Sequence, residues 1–359
     1  LTKDKAMKKK IFSKICIFII LLNVLFIYIG KNVFARESSS QLSSSTIQET
    51  INQAYEKFKP VMDGENASYI PYLKKADGKL YGIAIVTVDG RVFKAGDAEY
   101  KFPIESISKV FTLSQVLYKS GAESVLHKIG VNATGLPFNS VLAIELNQDK
   151  ISGSLPPGNP LVNAGAIATA SLVAGQTLDA KWQSIIDTAS SFAGHTLHIN
   201  NDVYRSEMDS NQHNQAIAIL LQSYGHLYAN PTETVDLYTR ECSYDVDAVD
   251  LATMGGTLAN GGTNPRTHTV VVDPATSARV LAVMATAGLY NTSGEWLFKV
   301  GLPGKSGVGG GILAVVPGKF SIGVYSSRLD NAGNSVRGQQ AVQFISEALK
   351  VNIFSSEAR

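Results

Sequence analysis

The chain has 359 residues, 45% hydrophobic and 17% charged, with 31 glycines against 12 prolines. That balance excludes disordered, collagen-like and disulfide-dense classes and leaves a globular protein long enough to bury a full core. The formal net charge is +2, yet residues 1–35 hold seven lysines and one acid, and the remainder carries 25 basic against 29 acidic residues, a net of −4. A mildly acidic body lacks the electrostatic footprint of a nucleic-acid binder.

Met7-Lys8-Lys9-Lys10 forms a charged n-region, Ile15 to Ile29 is apolar except for Asn23, and Val33-Phe34-Ala35 has the pattern of a cleavage site. Together they read as a secretory signal peptide cut near Ala35, with residues 1–6 lying ahead of a start at Met7. The alternative is an uncleaved anchor, but the apolar run is shorter than the roughly 20 residues a spanning helix needs. The expected location is therefore periplasmic or secreted, with no stable membrane span after cleavage. Of the two cysteines, Cys16 lies in the leader and Cys242 remains alone, which rules out an intrachain disulfide in the mature chain.

Residues 36–45 form a serine-rich polar lead-in without a fold of its own. Ile47, Ile51, Ala54, Tyr55 and Phe58 recur at helical spacing and predict a helix from Thr46 to about Val61. Leu80 to Val88 and Arg91 to Ala95, joined by Asp89-Gly90, predict a β-hairpin with a type I′ turn. From Ser106 to about Ala287 the pattern is mostly helical. Asn230-Pro231-Thr232-Glu233 offers an N-cap, a proline at the first helical position and a reciprocal acid at N3. Asp247 to Ala259 is apolar-periodic and stops at Asn260-Gly261-Gly262. Strand character returns at Ile312 to Val316 and Phe320 to Tyr325, about a Pro317-Gly318 turn, and a last helix runs from Val336 to about Lys350. No fixed-period repeat is present.

Strands at both ends with helices between them predict an α+β fold. The hairpin and the C-terminal strands would share one antiparallel sheet, covered by the first and last helices, with the central helices as a second lobe. The domain reading is a single domain over 46–359, after the leader 1–35 and the lead-in 36–45. Its α/β lobe comes from 46–105 and 290–359 and its helical lobe from 106–289, with a ligand site at their seam.

Ser106-Ile107-Ser108-Lys109 is the only S-x-x-K in the chain and opens a helix running to about Lys119. Residues at i and i+3 share a helix face, so the Ser106 hydroxyl and the Lys109 amine can meet. A lysine desolvated enough to be neutral can take the serine proton, and a helix N-terminus offers N–H groups to a developing oxyanion. Alone, the pair reads as a solvated surface Ser/Lys pair. Lys305-Ser306-Gly307-Val308-Gly309-Gly310-Gly311 precedes a strand. A phosphate loop is excluded, because position 299 is lysine where the first glycine belongs and no helix follows. Read as K-[ST]-G at a strand edge, it is the partner that S-x-x-K serine enzymes use, and both motifs in this order favour catalysis. His195 and His198 could share a helix face, but no Cys or acid completes a metal-ligand pattern, and they read as ordinary polar histidines. A Ser-His-Asp triad is recognised by geometry and stays open at this point.

Five stretches resemble the bacterial glutaminases, serine-dependent relatives of the β-lactamase/transpeptidase-like fold. They are Ser68-Tyr69-Ile70-Pro71, Glu105 to Phe111, Asn159 to Ile167, Asp250 to Gly262 and Gly304 to Gly311, within a similarity running roughly from Phe58 to Lys350. The resemblance implies a site for free L-glutamine with no cofactor and no metal. Ser106 would be the nucleophile, Lys109 its activator and Tyr290 a second proton-transfer partner. The N–H groups of Ser106 and Val308 would form the oxyanion hole. Tyr69, Asn163, Glu207, Asn214 and Tyr238 would hold the substrate, in a homodimer or homotetramer.

The residue types suit that task. A carboxylate such as Glu207 fits an α-ammonium, and neutral donors such as Asn163, Asn214 and tyrosine hydroxyls fit an α-carboxylate. Glu207 and Asn214 are seven apart, two turns along one face if that segment is one helix. Taken singly, without the family pattern, each reads as a capping Asn, a solvated Glu or a core Tyr. Two features depart from the family: the export signal, and a Ser154-Leu155-Pro156-Pro157-Gly158 segment longer than usual beside Asn159. The competing readings are a secreted β-lactamase or penicillin-binding enzyme, against which stands the absence of S-D-N, and a non-catalytic amino-acid binding protein that would need neither Ser106 nor Lys109.

Overall fold

The computed structural model describes residues 42–356 except 147, 150–152 and 155; the leader and most of the lead-in lie outside the described residues. Helix α1 spans Ser44–Phe58. It starts two residues before the predicted Thr46, because Ser43 Oγ accepts the Thr46 N–H at 3.0 Å, a serine cap that draws Ser44 and Ser45 of the lead-in into the helix. It stops at Phe58 rather than Val61, since Pro60 disfavours helical geometry at the residue before it. By their contacts the described residues from Ile47 onward form one unit.

The sheet has β1 (Gly82–Thr87), β2 (Val92–Gly96), β3 (Gly304–Ser306), β4 (Gly311–Val316) and β5 (Phe320–Tyr325) in the order β2-β1-β5-β4-β3. Every neighbouring pair is antiparallel, and β1 meets β5 in the register Gly82↔Tyr325 to Thr87↔Phe320. Strands from the two ends of the chain thus join, as the α+β reading requires. The predicted type I′ turn is corrected. Only Gly90 has a positive φ (84°), the Gly90 N–H donates to Thr87 O, and the hairpin closes by a type I turn with glycine in the left-handed position.

All residues of β1, β4 and β5 are buried, which an antiparallel sheet shows only when both faces are covered. On one face lies α8 (Ala248–Ala259), where Ala248 and Ala252 pack on Ala84 and Val86. A Cβ on Gly323 would stand 2.2 Å from Ala248 O, so this face admits the helix backbone only because β5 carries glycine there. Ile312 points the other way along β4, and a Cβ on Gly338 of the last helix (Val336–Ala348) would meet it at 3.0 Å. The first helix lies along the hairpin, with Tyr55 stacked on Tyr81 at 5.2 Å and Gln48 Nε2 donating to Lys94 O at 3.1 Å. The sequence reading named the first and last helices as covers. It missed that a helix from the middle of the chain takes the opposite face.

The helical part comprises α2 (Ser108–Ser120), α3 (Asn163–Ser171), α4 (Leu178–Ala193), α5 (Asn201–Met208), α6 (Gln212–Ser223), α7 (Pro231–Cys242), α8 and α9 (Pro274–Ala287). Val110, Leu113, Ile167, Ile185, Ile217 and Leu237 form part of its shared core. Asn230 caps α7 by accepting the Glu233 N–H at 3.1 Å. The reciprocal box predicted there is found instead at α8, where Asp247 and Asp250 cap each other. Asp250 also takes Lys101 Nζ at 2.6 Å and His195 Nε2 at 2.6 Å. His195 and His198 lie in the loop after α4, not on a shared helix face. Among the described residues no helix is long and apolar enough to cross a membrane, and no three His, Cys, Asp or Glu side chains group to hold a metal.

Candidate active site

Ser106 occupies the 3₁₀ turn Glu105–Ile107 that runs straight into α2. Glu105 has φ 52°, a left-handed conformation that costs a non-glycine residue about 1 kcal/mol or more. One turn on, Lys109 Nζ stands 2.6 Å from Ser106 Oγ, and both side chains are buried. Burial pushes the Lys109 ammonium down toward neutrality, while Cys242, Glu241, Glu105 and Glu207 hold it up.

The second motif reaches the first through its glycines. A Cβ on Gly307 would come within 2.8 Å of Ile104 O, and one on Gly309 within 2.5 Å of Pro103 O. Only glycine allows the turn after β3 to lie against the backbone that carries the serine. Inside that turn the Gly307 N–H donates to Gly311 O and the Gly310 N–H to Gly307 O, each at 3.0 Å. The Val308 N–H between them has no acceptor among the described hydrogen bonds. Ser106 belongs to a helical first turn, where N–H groups lack intrahelical acceptors.

Tyr290 opens the 3₁₀ turn Tyr290–Thr292 with φ 59°, a second left-handed non-glycine residue. Its hydroxyl donates to Ser306 O at 3.3 Å and is hydrogen-bonded to Ser106. Burial pushes that hydroxyl up, and the two serine contacts pull it back. Lys305 is fully buried, its Nζ 4.1 Å from the centre of the Tyr290 ring and 2.6 Å from Ser306 O. Desolvation, reinforced by nearby Lys109, drives it well below the usual lysine range. Asn334 fixes the strand end by its contact with Ser306 Oγ at 2.5 Å.

Around this centre, the Tyr238 hydroxyl donates to Asn163 Oδ1 and Asn163 Nδ2 to Asn214 Oδ1, both at 3.0 Å. Tyr238 therefore fixes the Asn163 amide, and Asn163 in turn orients Asn214 with its NH₂ group facing outward. The Tyr238 ring lies 5.1 Å from Lys109 Nζ. Glu207 and Asn214 both reach the site, but on two helices: α5 ends at Met208 and α6 starts at Gln212. That corrects the single-helix reading, and periodicity alone could not show a three-residue break between polar segments. Tyr69 is 54% exposed, yet its hydroxyl is driven up by burial and by Glu105, Tyr290 and Glu207. A cavity of about 630 Å³ lined by Tyr69, Val308, Phe138 and Leu329 opens beside the site.

Two groups escaped the sequence reading. Glu105, adjacent to Ser106, is buried against Glu207. Glu241 is fully buried on α7, accepts the Thr112 hydroxyl at 2.5 Å, and is pushed up to about 7 by burial. No local signal marks it, because Glu241 follows Arg240 in a largely polar run and its burial comes from the packing of α7.

A Ser-x-x-Lys helix set against a lysine-serine-glycine strand, on a sheet backed by helices on both faces, places the protein in the β-lactamase-like fold. The glutaminase family model matches residues 64–354, and the chain belongs to that family. It is 52% identical to a glutaminase of Brucella canis over 296 residues, 82% of this chain and 92% of the relative. With glutaminase 1 of Shigella flexneri the identity is 48% over 313 residues, 87% of this chain and 99% of the relative. The solved structure of the probable glutaminase ybaS superposes with a TM-score of 0.85 at 47% identity, covering 88% of this chain and all of that one. Mglu in its glutamate form gives a TM-score of 0.79 at 36% identity, covering 85% of this chain and 69% of that one.

Proposed function

We propose that the protein hydrolyses L-glutamine to L-glutamate and ammonia through a glutamyl ester on Ser106. The observation that carries this reading is the 2.6 Å contact between Ser106 Oγ and a buried Lys109, in a chain of the glutaminase family. Neutral Lys109 takes the hydroxyl proton as Ser106 Oγ attacks the side-chain amide carbon. The resulting oxyanion falls to the N–H groups of Ser106 and Val308, each such donor being worth roughly 3 kcal/mol of barrier. Tyr290, in contact with Ser106, passes a proton to the departing ammonia, and water then cleaves the ester. Glu207 takes the α-ammonium, while Asn163, Asn214 and Tyr69 serve the α-carboxylate and the Tyr238 hydroxyl holds the Asn163 amide in place for it.

No cofactor or metal enters this scheme. The leader read in residues 7–35 supports a periplasmic or secreted location, and the family resemblance supports a homodimer or homotetramer, which light scattering on the purified protein checks. Ammonia release from glutamine by wild type and Ser106→Ala tests the reaction, with intact mass spectrometry to catch the acyl adduct. Turnover is expected to vanish in the variant. Wild-type rates in Ser106→Ala, or hydrolysis of nitrocefin in place of glutamine, would refute the proposal.

A further inference from the structure

The buried residue next to the nucleophile is an acid, and the mechanism above gives it no task. Glu105 is 3% exposed, held in a left-handed conformation, and packed so that a Cβ on Gly309 would touch its Cγ at 3.1 Å. Its carboxyl group is in hydrogen-bond contact with that of Glu207. Each of the two keeps one buried oxygen, Oε1, without a donor among the described residues. Ionised carboxylates only accept, so two of them in contact need a proton between them. Like charges in one buried site cannot both ionise unless a cation stands beside them.

The groups that face the pair are Lys109 on α2, Tyr238 and Cys242 on α7, and the hydroxyls of Tyr69 and Tyr290. The glycine turn at Gly307 and Gly309 brings no charge. Lys109 is the one group among these that is ever a cation, and as a base it must be neutral. Burial together with Glu207 raises the Glu105 carboxyl well above the ordinary range, in the same direction as the geometric argument.

Resting on the glutaminase reading above, we propose that Glu105 and Glu207 share one proton in the free enzyme and release it to solvent when a substrate α-ammonium docks between them. Glu105 is then a specificity-determining residue. It makes the site a dicarboxylate once a primary ammonium is present, and leaves it a monoanion toward amides that lack one. Because docking expels a proton, binding tightens as pH rises, by up to about tenfold per pH unit while the pair holds its proton.

The test is calorimetric titration of Ser106→Ala protein with glutamine in two buffers of different ionisation enthalpy, which counts protons released. About one proton per glutamine is expected near neutral pH. It should fall to near zero when Glu105→Gln or, as a second variant, Glu207→Gln is added. In wild type, KM for glutamine should fall with rising pH, and this slope should flatten in Glu105→Gln. Glutamine binding without proton release, or with the same release in both carboxyl variants, overturns the inference while leaving the glutaminase reading intact. Failure of wild type to release ammonia from glutamine overturns that reading itself.

Discussion

Replacing Glu241 by glutamine removes a fully buried carboxyl group while keeping an oxygen for the Thr112 hydroxyl, which now lies 2.5 Å from Oε2. In the unfolded chain this acid titrates near its ordinary value of 4.5, and burial raises it to about 7 in the fold. Between those values the folded chain binds the proton that the unfolded chain has lost, so stability falls as pH rises through this window. At about 1.4 kcal/mol per pH unit, the full penalty above pH 7 is about 3 kcal/mol. The glutamine side chain has no such term. Its own burial shifts stability by a fixed amount, but the difference between variant and wild type should grow in the variant's favour by up to ~3 kcal/mol from pH 4.5 to 8. Urea unfolding at half-unit pH steps measures it. A difference that stays flat over that range would refute the reasoning, whatever its absolute size. The same variant removes one of the charges that hold the Lys109 proton, so the acid limb of its kcat/KM profile should move to lower pH.

Glu207→Gln should raise KM for glutamine roughly 10- to 100-fold with a smaller effect on kcat, the loss of a charge-assisted contact; an unchanged KM would place the ammonium elsewhere. Gly309→Ala puts a Cβ within 2.5 Å of Pro103 O, moves the Val308 N–H away from the serine, and should lower kcat on the order of 100-fold at similar KM. Tyr290→Phe should lower kcat roughly 100-fold or more by removing the proton donor, measured as steady-state ammonia release.

The hairpin, the helix from Asp247 to Ala259 and the C-terminal strands were legible because their composition and boundary residues agree, although Asp89-Gly90 pointed to the wrong turn type. The Ser106–Lys109 pair was legible because one helical turn joins it, whereas Val308 followed only from the family resemblance. What was hidden depends on non-local packing. No local rule places Glu105 against Glu207, which lie on separate elements far apart in sequence, or seats Glu241 beside Thr112. The break between α5 and α6 was hidden as well. Asp209, Ser210 and Asn211 are turn residues, but a polar face on a continuous helix reads the same way.

The buried acids and lysines of this site answer to a single balance. Desolvation lowers both Lys109 and Lys305, and each nearby carboxylate would restore a proton to Lys109 if it were ionised. A neutral base therefore requires its surrounding acids to be largely protonated, which burial of Glu105, Glu207 and Glu241 favours. Substrate changes the terms. In the proposed scheme an incoming α-ammonium ionises the Glu105–Glu207 pair but cancels the added negative charge where it arises. The charge felt at Lys109 is then little altered, and the amine can stay neutral at the moment Ser106 must lose its proton. An amide without an α-ammonium brings no such compensation and leaves the pair protonated, so it gives up an ion contact without gaining a better base. Selection for a free amino acid and activation of the serine thus draw on one set of buried charges, and a variant that alters the first should shift the pH dependence of the second.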